Sequence, residues 1–259
     1  MINLFSVFFL MITIVSSIVT LCSLPQQFRV STHNKRFLFF YLLTIVATVG
    51  FFLSGTNLMK QFCFFEIMTL ASFAYVPNDE SPYAKKAAFS YLAYGIAGGL
   101  VMLYGLMLLD YTFSSWDLTS IRMAWQFNRN NPGVQRNLYI AGACLLFGYG
   151  AKAGMFPIHT WLPDTYTAAP PVGTTLLSSL LSKTGVYGIM LITITLFEAD
   201  RSWNVTLMIL ALCTMFIGGA FALFATDMKK LLAYSSMSQI GFILFGISIC
   251  TFSRETTGY

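Results

Sequence analysis

The sequence predicts an all-α polytopic membrane protein of about eight transmembrane helices, and three observations predict it. Only 10% of its 259 residues are Asp, Glu, Lys or Arg, while 56% are hydrophobic; soluble domains carry about 25% charge. The apolar residues gather into runs close to the ~20 residues a helix needs to cross a bilayer. Nearly all charged residues fall between those runs or at their edges. So few charges cannot clothe a water-facing surface, which excludes a soluble enzyme and a disordered chain. The net charge of +5 is scattered through loops and forms no basic stripe, which excludes a nucleic-acid binder.

The predicted spans are 2–24, 36–54, 57–76, 86–109, 137–155, 174–197, 203–225 and 229–250. The first lacks a positive leader and is long enough to span, so it reads as a membrane helix rather than a cleaved signal. Segment 110–136 is a polar loop on one face, with a short surface helix over Leu118–Phe127. Cys22, Cys63, Cys144, Cys213 and Cys250 have no metal or redox spacing and read as small apolar fillers. The whole of 1–259 forms one membrane domain: a leading helix and loop (1–35), then 36–197, then 198–259.

Lys and Arg in short loops set orientation. Arg29, Lys35, Arg36, Lys85, Lys86, Lys229 and Lys230 share one side, and Lys60, Arg122, Arg129, Arg136, Arg201 and Arg254 the other. Discounting the long loop and its flank, the first side is the cytoplasm or the mitochondrial matrix, and the N-terminus lies opposite. An internal echo accompanies this topology. At an offset of 170, Thr56 meets Thr226, Asn57 meets Asp227, Lys60 meets Lys230 and Phe64 meets Tyr234. Each segment opens a helix from the opposite side, as an inverted repeat does.

Three ionisable residues fall inside spans: Glu66, Lys152 and Lys183. A central charge costs about 2.5–3.5 kcal/mol on insertion scales, so such residues face protein or water and mark function by default. A static pair between Glu66 and one lysine leaves the second lysine unexplained; a proton relay employs all three. Lys152 lies beside FGYGAKAGMFPIHTWLPDTYTAAPPVGTT (147–175), where Gly154, Pro157 and Pro163 break the helix. Backbone is broken at membrane depth only where it lines protein or an internal cavity. Gly148, Gly150 and Gly154 are expected to admit close neighbours. His159 is a structural histidine or a second-tier relay member, because imidazole exchanges protons near neutral pH. Asp164 is expected to cap the following turn and Trp161 to anchor at the interface. Ser178, Ser179, Ser182 and Thr184 surround Lys183, and Ser235, Ser236, Ser238 and Gln239 cluster in the last span, serving packing or a water path.

The segments KAGMFPIHTWLPDTYTAAPPV, LLSSLLSKTGVYGI, TDMKKLLAYSSMSQIGF and FFEIMTLASFAYV resemble the antiporter-like membrane subunits of the respiratory complex I superfamily. That superfamily includes the proton-pumping subunits of NADH:quinone oxidoreductase, Mrp-type antiporters and energy-converting membrane hydrogenases. The resemblance covers most of 36–250 and leans toward the hydrogenase and Mrp-type branch. It implies that Glu66 modulates the channel lysine, that Lys152 is the main proton-carrying site, and that Lys183 continues the half-channel. His159 matches a histidine of the broken-helix motif, and Lys229 and Lys230 a basic pair at a helix start. It further implies that 36–197 is a complete five-helix repeat and 198–259 the first two helices of an inverted second one. On that pattern the chain is a split subunit or a fragment, or a neighbouring chain supplies the rest, and one half-channel is expected from it.

The function this implies is proton or cation translocation in a redox-driven, complex I-like oxidoreductase embedded in a bacterial or archaeal cytoplasmic membrane or a mitochondrial inner membrane. No cofactor is expected on this chain. Flavin, iron–sulfur clusters or a nickel–iron site, and quinone, belong to partner subunits. Expected partners are other antiporter-like membrane subunits, hydrophilic redox subunits and lipids. The alternatives are a stand-alone or Mrp-type Na⁺(K⁺)/H⁺ antiporter subunit and a structural remnant. Hard cations want several oxygen ligands, which one glutamate supplies poorly, and a remnant would insert more cheaply without three central charges.

Overall fold

The computed structural model describes residues 4–30, 34–77, 81–198 and 200–257. The side chain of Arg254, used above to assign membrane sides, lies outside the described residues. Every regular element among them is helical. In chain order these are α1 (Leu4–Val30), α2 (Asn34–Leu53), α3 (Leu58–Phe73), α4 (Pro82–Phe113), α5 (Leu118–Asn128), α6 (Pro132–Ala153), α7 (Trp161–Ala168), α8 (Pro171–Leu176), α9 (Ser182–Leu196), α10 (Arg201–Phe224) and α11 (Met228–Thr257). A single π turn, Leu177–Leu181, joins α8 to α9.

Among the described residues, six continuous helical stretches are long and apolar enough to cross a membrane: Leu4–Arg29, Asn34–Leu53, Pro82–Phe113, Pro171–Leu196, Arg201–Phe224 and Met228–Phe252. The other two predicted spans are occupied by α3, of 16 residues, and by α6, of 22. Helix starts follow their capping residues rather than the edge of the apolar run. Ser81 accepts the Ala84 N–H and Pro82 opens α4, so the helix begins ahead of the predicted 86 and runs on to Phe113. Asn131 and Pro132 start α6 ahead of the predicted 137 in the same way. The surface helix foreseen over Leu118–Phe127 is α5, capped by Asp117.

Contacts between connections sort the helix ends into two sets. At one end Thr56 donates to Asp117 (2.5 Å) and Arg122 pairs with Glu198 (2.9 Å). At the other, Tyr83 donates to Asp164 (3.0 Å), Lys230 lies 4.0 Å from the same carboxylate, and Lys229 donates to Ala169 O (2.8 Å). Lys85, Lys86, Lys229 and Lys230 thus gather at one end and Arg122 at the other, as their loop positions suggest. The echo takes a physical form too. Asn57 accepts the Lys60 N–H at the start of α3, and Asp227 accepts the Lys229 N–H at the start of α11, from opposite ends.

The core lies where α3, α4, α6 and α9 meet, and Gly148 shows how tightly. A Cβ there would stand 2.6 Å from Met102 Cβ and 2.9 Å from Gly98 O, so α4 and α6 are in backbone contact. Large apolar side chains such as Phe39, Val46, Phe89, Leu100, Phe216 and Leu223 point outward, as lipid-facing residues do. Cys22, Cys63 and Cys250 are exposed on these outer faces rather than filling the core. A small apolar side chain costs nothing against lipid, so burial was not required of it.

Candidate functional site

The break in α6 is built by Gly154. It takes φ +79°, a left-handed conformation that glycine adopts without strain, and its N–H returns to Gly150 O (3.0 Å). Gly154 therefore ends the helix and also admits Leu162 of α7, whose Cδ1 would stand 3.2 Å from a Cβ there, while a Cβ on Gly150 would meet Met155 of its own segment. Ending a helix at membrane depth strands carbonyls that need donors. Trp161 supplies one: its Nε1–H donates to Ala151 O at 2.9 Å, and its ring is buried. The tryptophan expected at the interface is thus turned inward, because its N–H is the donor the break demands. Thr214 of α10 accepts the freed Phe156 N–H (3.1 Å). Beyond the exposed Pro157, α7 starts at Trp161 and takes Pro163 in its first turn, where a missing N–H costs nothing.

Lys152 occupies the last turn of α6, where the helix dipole favours a cation. It is only 3% exposed. Its Nζ donates to Thr69 Oγ1 (2.8 Å) and Tyr91 Oη (2.9 Å) and sits over the Phe65 and Tyr91 rings at 5.3 and 5.2 Å. Tyr91 Oη also shares a hydrogen bond with Ser72 Oγ (2.5 Å). Glu66 lies one turn before Thr69 on the same face of α3. Its Oε1 is buried without a hydrogen-bond partner, and it fills the space over Gly99, where an added Cβ would collide with that oxygen. No ion pair joins Glu66 to Lys152 among the described residues. The two act on each other through space. The static contact pair is therefore absent: hydroxyls hold the ammonium, and the carboxylate stands off.

Lys183 begins α9 just past the π turn. That turn displaces the backbone ladder, and side chains fill in: Lys183 Nζ donates to Ser178 O (2.7 Å) and Ser182 Oγ to Leu177 O (3.1 Å). Ser182 also lies 3.4 Å from Tyr166 Oη. Lys183 and Tyr166 line a cavity of ≈520 Å³ with Ser178, Ser235, Ser236, Gln239 and Lys229. The cluster in α11 thus divides its roles. Ser235, Ser236 and Gln239 face the cavity, while Ser238 donates to Met215 O (3.1 Å) and packs α11 on α10.

His159 is half-buried within the break, its ring tilted against that of Phe156 (centroids 5.9 Å apart), with Nδ1 buried and unpartnered. Among the described residues no hydrogen bond links it to Lys152 or Lys183. Asp164 does not cap α7; Thr160 occupies that position without a side-chain cap, and Asp164 instead receives Tyr83 and faces Lys230. Lys229 donates to Thr167 O and Ala169 O, closing the end of α7. Sequence reasoning passed over Thr69, Ser72, Tyr91 and Tyr166. A tyrosine in an apolar run carries no signal of its own; the available clue was Thr69 lying three residues from Glu66.

A helical membrane bundle with a lysine at a broken helix and a standing-off glutamate defines an antiporter-like class, and comparison places it. Residues 55–257 match the family described as "NADH:quinone oxidoreductase/Mrp antiporter, TM", and the chain belongs to that family. It is an integral membrane protein, an antiporter-like subunit of the complex I, Mrp and hydrogenase superfamily.

Among relatives, it is 30% identical to F(420)H(2) dehydrogenase subunit N of Methanosarcina mazei over 95% of this chain and 49% of that one. It is also 30% identical to a Na(+)/H(+) antiporter subunit of Alkalihalophilus pseudofirmus, over 93% of this chain and 49% of that one. A subunit of the membrane-bound sulfane sulfur reductase, an archaeal respiratory membrane complex, superposes with TM-score 0.85 at 25% identity, covering 94% of this chain and 49% of that one. A chain of the Mrp complex from Dietzia sp. shares the fold, with TM-score 0.82 at 23% identity over 95% of this chain and 45% of that one. The chain spans about half the length of the curated relatives it matches.

Proposed function

We propose that this chain is a proton-translocating membrane subunit of a redox-driven complex, moving protons through Glu66, Lys152, Lys183 and intervening water. The observation that carries the reading is the setting of Lys152. A buried ammonium held by two neutral hydroxyls, with its carboxylate at a distance, is not locked in a contact pair. When the Glu66 charge is close, the protonated lysine is favoured. When that charge withdraws or is neutralised, burial disfavours the ammonium and Nζ releases its proton. Tyr91 and Thr69 then face a neutral amine, and the proton moves toward Tyr166, Ser182 and the cavity that holds Lys183. Restoring the Glu66 charge lets Nζ recapture a proton. His159 serves as a secondary exchange group at the break.

The driving electron transfer belongs to partner subunits, which carry the flavin, iron–sulfur clusters or nickel–iron site, and quinone. Other antiporter-like subunits complete the path across the membrane. Exchange of Na⁺ or K⁺ for H⁺ in an Mrp-type assembly is the second reading, favoured by the similarity to the Na(+)/H(+) antiporter relative.

The test is translocation in proteoliposomes holding the assembled complex. Lys152→Met is expected to abolish it while the complex still assembles, and Lys183→Met to impair it less. Undiminished pumping by Lys152→Met overturns the relay. Cation exchange by the membrane subunits without any redox partner selects the antiporter reading.

A further inference from the structure

Glu66 and Thr69, the two polar groups of α3 around Lys152, both lean on one face of α4. A Cβ at Gly99 would stand 2.1 Å from Glu66 Oε1, 3.0 Å from its Cδ and 3.4 Å from its Oε2, so the carboxylate occupies space that any larger residue would fill. One turn earlier, a Cβ at Gly95 would stand 2.6 Å from Thr69 Cγ2. Tyr91, one turn earlier again, carries the second hydroxyl that holds Nζ. Positions 91, 95 and 99 therefore lie on successive turns of the same helix face. The adjacent Gly98 looks toward a different helix: the nearest neighbours of a Cβ there would be Ala151 and Gly148 of α6.

The two notches act differently. Thr69 branches at its β carbon. With its methyl seated at Gly95, its hydroxyl is turned to donate to Phe65 O (2.8 Å) and to accept from Lys152 Nζ (2.8 Å). Glu66 gains no such bond at Gly99, where Oε1 is buried without a hydrogen-bond partner. An unpaired buried oxygen is costly, and a contact pair with Lys152 would relieve it. The room over Gly99 is what permits the carboxylate to stand off. With that room filled, two directions remain: outward into lipid, where a charge is expensive, or inward to Nζ.

We propose that Gly99 and Gly95 are positioning residues: Gly99 houses the Glu66 carboxylate away from Lys152, and Gly95 seats the Thr69 methyl so that its hydroxyl holds the ammonium instead. One face of α4 thereby sets how strongly Glu66 and Lys152 are coupled. The proposal rests on Lys152 being the proton-carrying site.

The test uses the assembled complex. In a cryo-EM structure, Gly99→Ala is expected to bring the Glu66 carboxylate within salt-bridge distance of Nζ, about 4 Å. Translocation in proteoliposomes is expected to slow about tenfold or more, because a new charge-assisted hydrogen bond must break before Nζ releases its proton. Glu66→Asp, shorter by one methylene, is expected to speed up Gly99→Ala. Thr69→Ser, which deletes the colliding methyl and keeps the hydroxyl, is expected to speed up Gly95→Ala. Neither is expected to help Gly98→Ala, whose neighbours are on α6. A packing role alone would lower the melting temperature without joining Glu66 to Nζ. A Gly99→Ala complex whose carboxylate stays off Nζ, or which pumps at the parental rate, overturns the proposal, and so does a rescue that ignores the pairing. If Gly99→Ala does not assemble, its double variant with Glu66→Asp is expected to assemble and pump, and failure of both overturns the proposal too. Lys152→Met judges the underlying relay separately: if that variant still pumps, the relay falls, while the Glu66–Nζ distance in Gly99→Ala still decides the spacing.

Discussion

Replacing Gly185 with alanine probes the contact that seats the Lys152 turn. A Cβ at Gly185 would stand 2.4 Å from Tyr149 O, 2.7 Å from Ala153 N and 2.9 Å from Ala153 Cβ. These are mostly backbone atoms of α6, which cannot rotate aside. Carbon against a carbonyl oxygen is comfortable at about 3.3–3.6 Å, so α9 must withdraw by ~1 Å. Overpacking of this kind costs about 1–3 kcal/mol. For a chain of this size each kcal/mol is worth roughly 2–4 °C, so the purified variant should melt about 2–12 °C lower. Lys152 immediately precedes Ala153, and a misplacement of ~1 Å near reacting groups can cost about 100-fold in rate. Translocation should therefore fall more steeply than stability. Gly246→Ala is the control: nothing stands within 4 Å of its Cβ position. In that helix interior alanine is favoured by about 1 kcal/mol, so the sign should reverse. A Gly185→Ala protein that melts with the parent and transports normally would refute the backbone contact between α6 and α9.

Trp161→Phe keeps an aromatic ring, though a smaller one, and strands Ala151 O in the break, which should cost about 1–3 kcal/mol on top of the lost packing; thermal melting checks it, and an unchanged midpoint contradicts the donor role. At the loop, burial draws the Asp117 carboxyl up, but hydrogen bonds from Thr119, Thr56 and Ser120 outweigh it and hold the group below the ordinary carboxylate range. A folded value below the unfolded one means that the stabilisation is complete above about pH 4. It is lost as pH falls through the folded value. Asp117→Asn keeps an N-cap but cannot titrate, so its deficit against the parent, read as melting temperature across the acid range, should shrink as pH falls. A deficit independent of pH would contradict the assignment.

How much of this was legible in the chain can be judged residue by residue. The helices were legible because lipid imposes a length and an apolar content that few alternatives satisfy. Glu66, Lys152 and Lys183 were legible because a charge inside an apolar run is conspicuous. Their relationship was not. Nothing in the chain shows that the hydroxyls of Thr69 and Tyr91, rather than the Glu66 carboxylate, hold the Lys152 ammonium. The π turn before Lys183 had no signature either, since LLSSLL suits an ordinary helix equally well. Trp161 was misplaced toward the interface because composition rules speak of averages. A carbonyl left open ten residues earlier in the chain overruled them.

By itself the sequence determined that the chain lives in a membrane, which segments form its helices, and which ionisable side chains must lie among them. Those properties depend on local composition and spacing, and the bilayer acts on each segment separately. The tertiary structure alone decided which partner each buried polar group takes. It set Glu66 apart from Lys152 and brought Tyr91 from α4 and Thr69 from α3 to one nitrogen. Such choices depend on helices that meet only when packed, with glycine contacts fixing their approach to within a fraction of an ångström, and no local pattern encodes that distance.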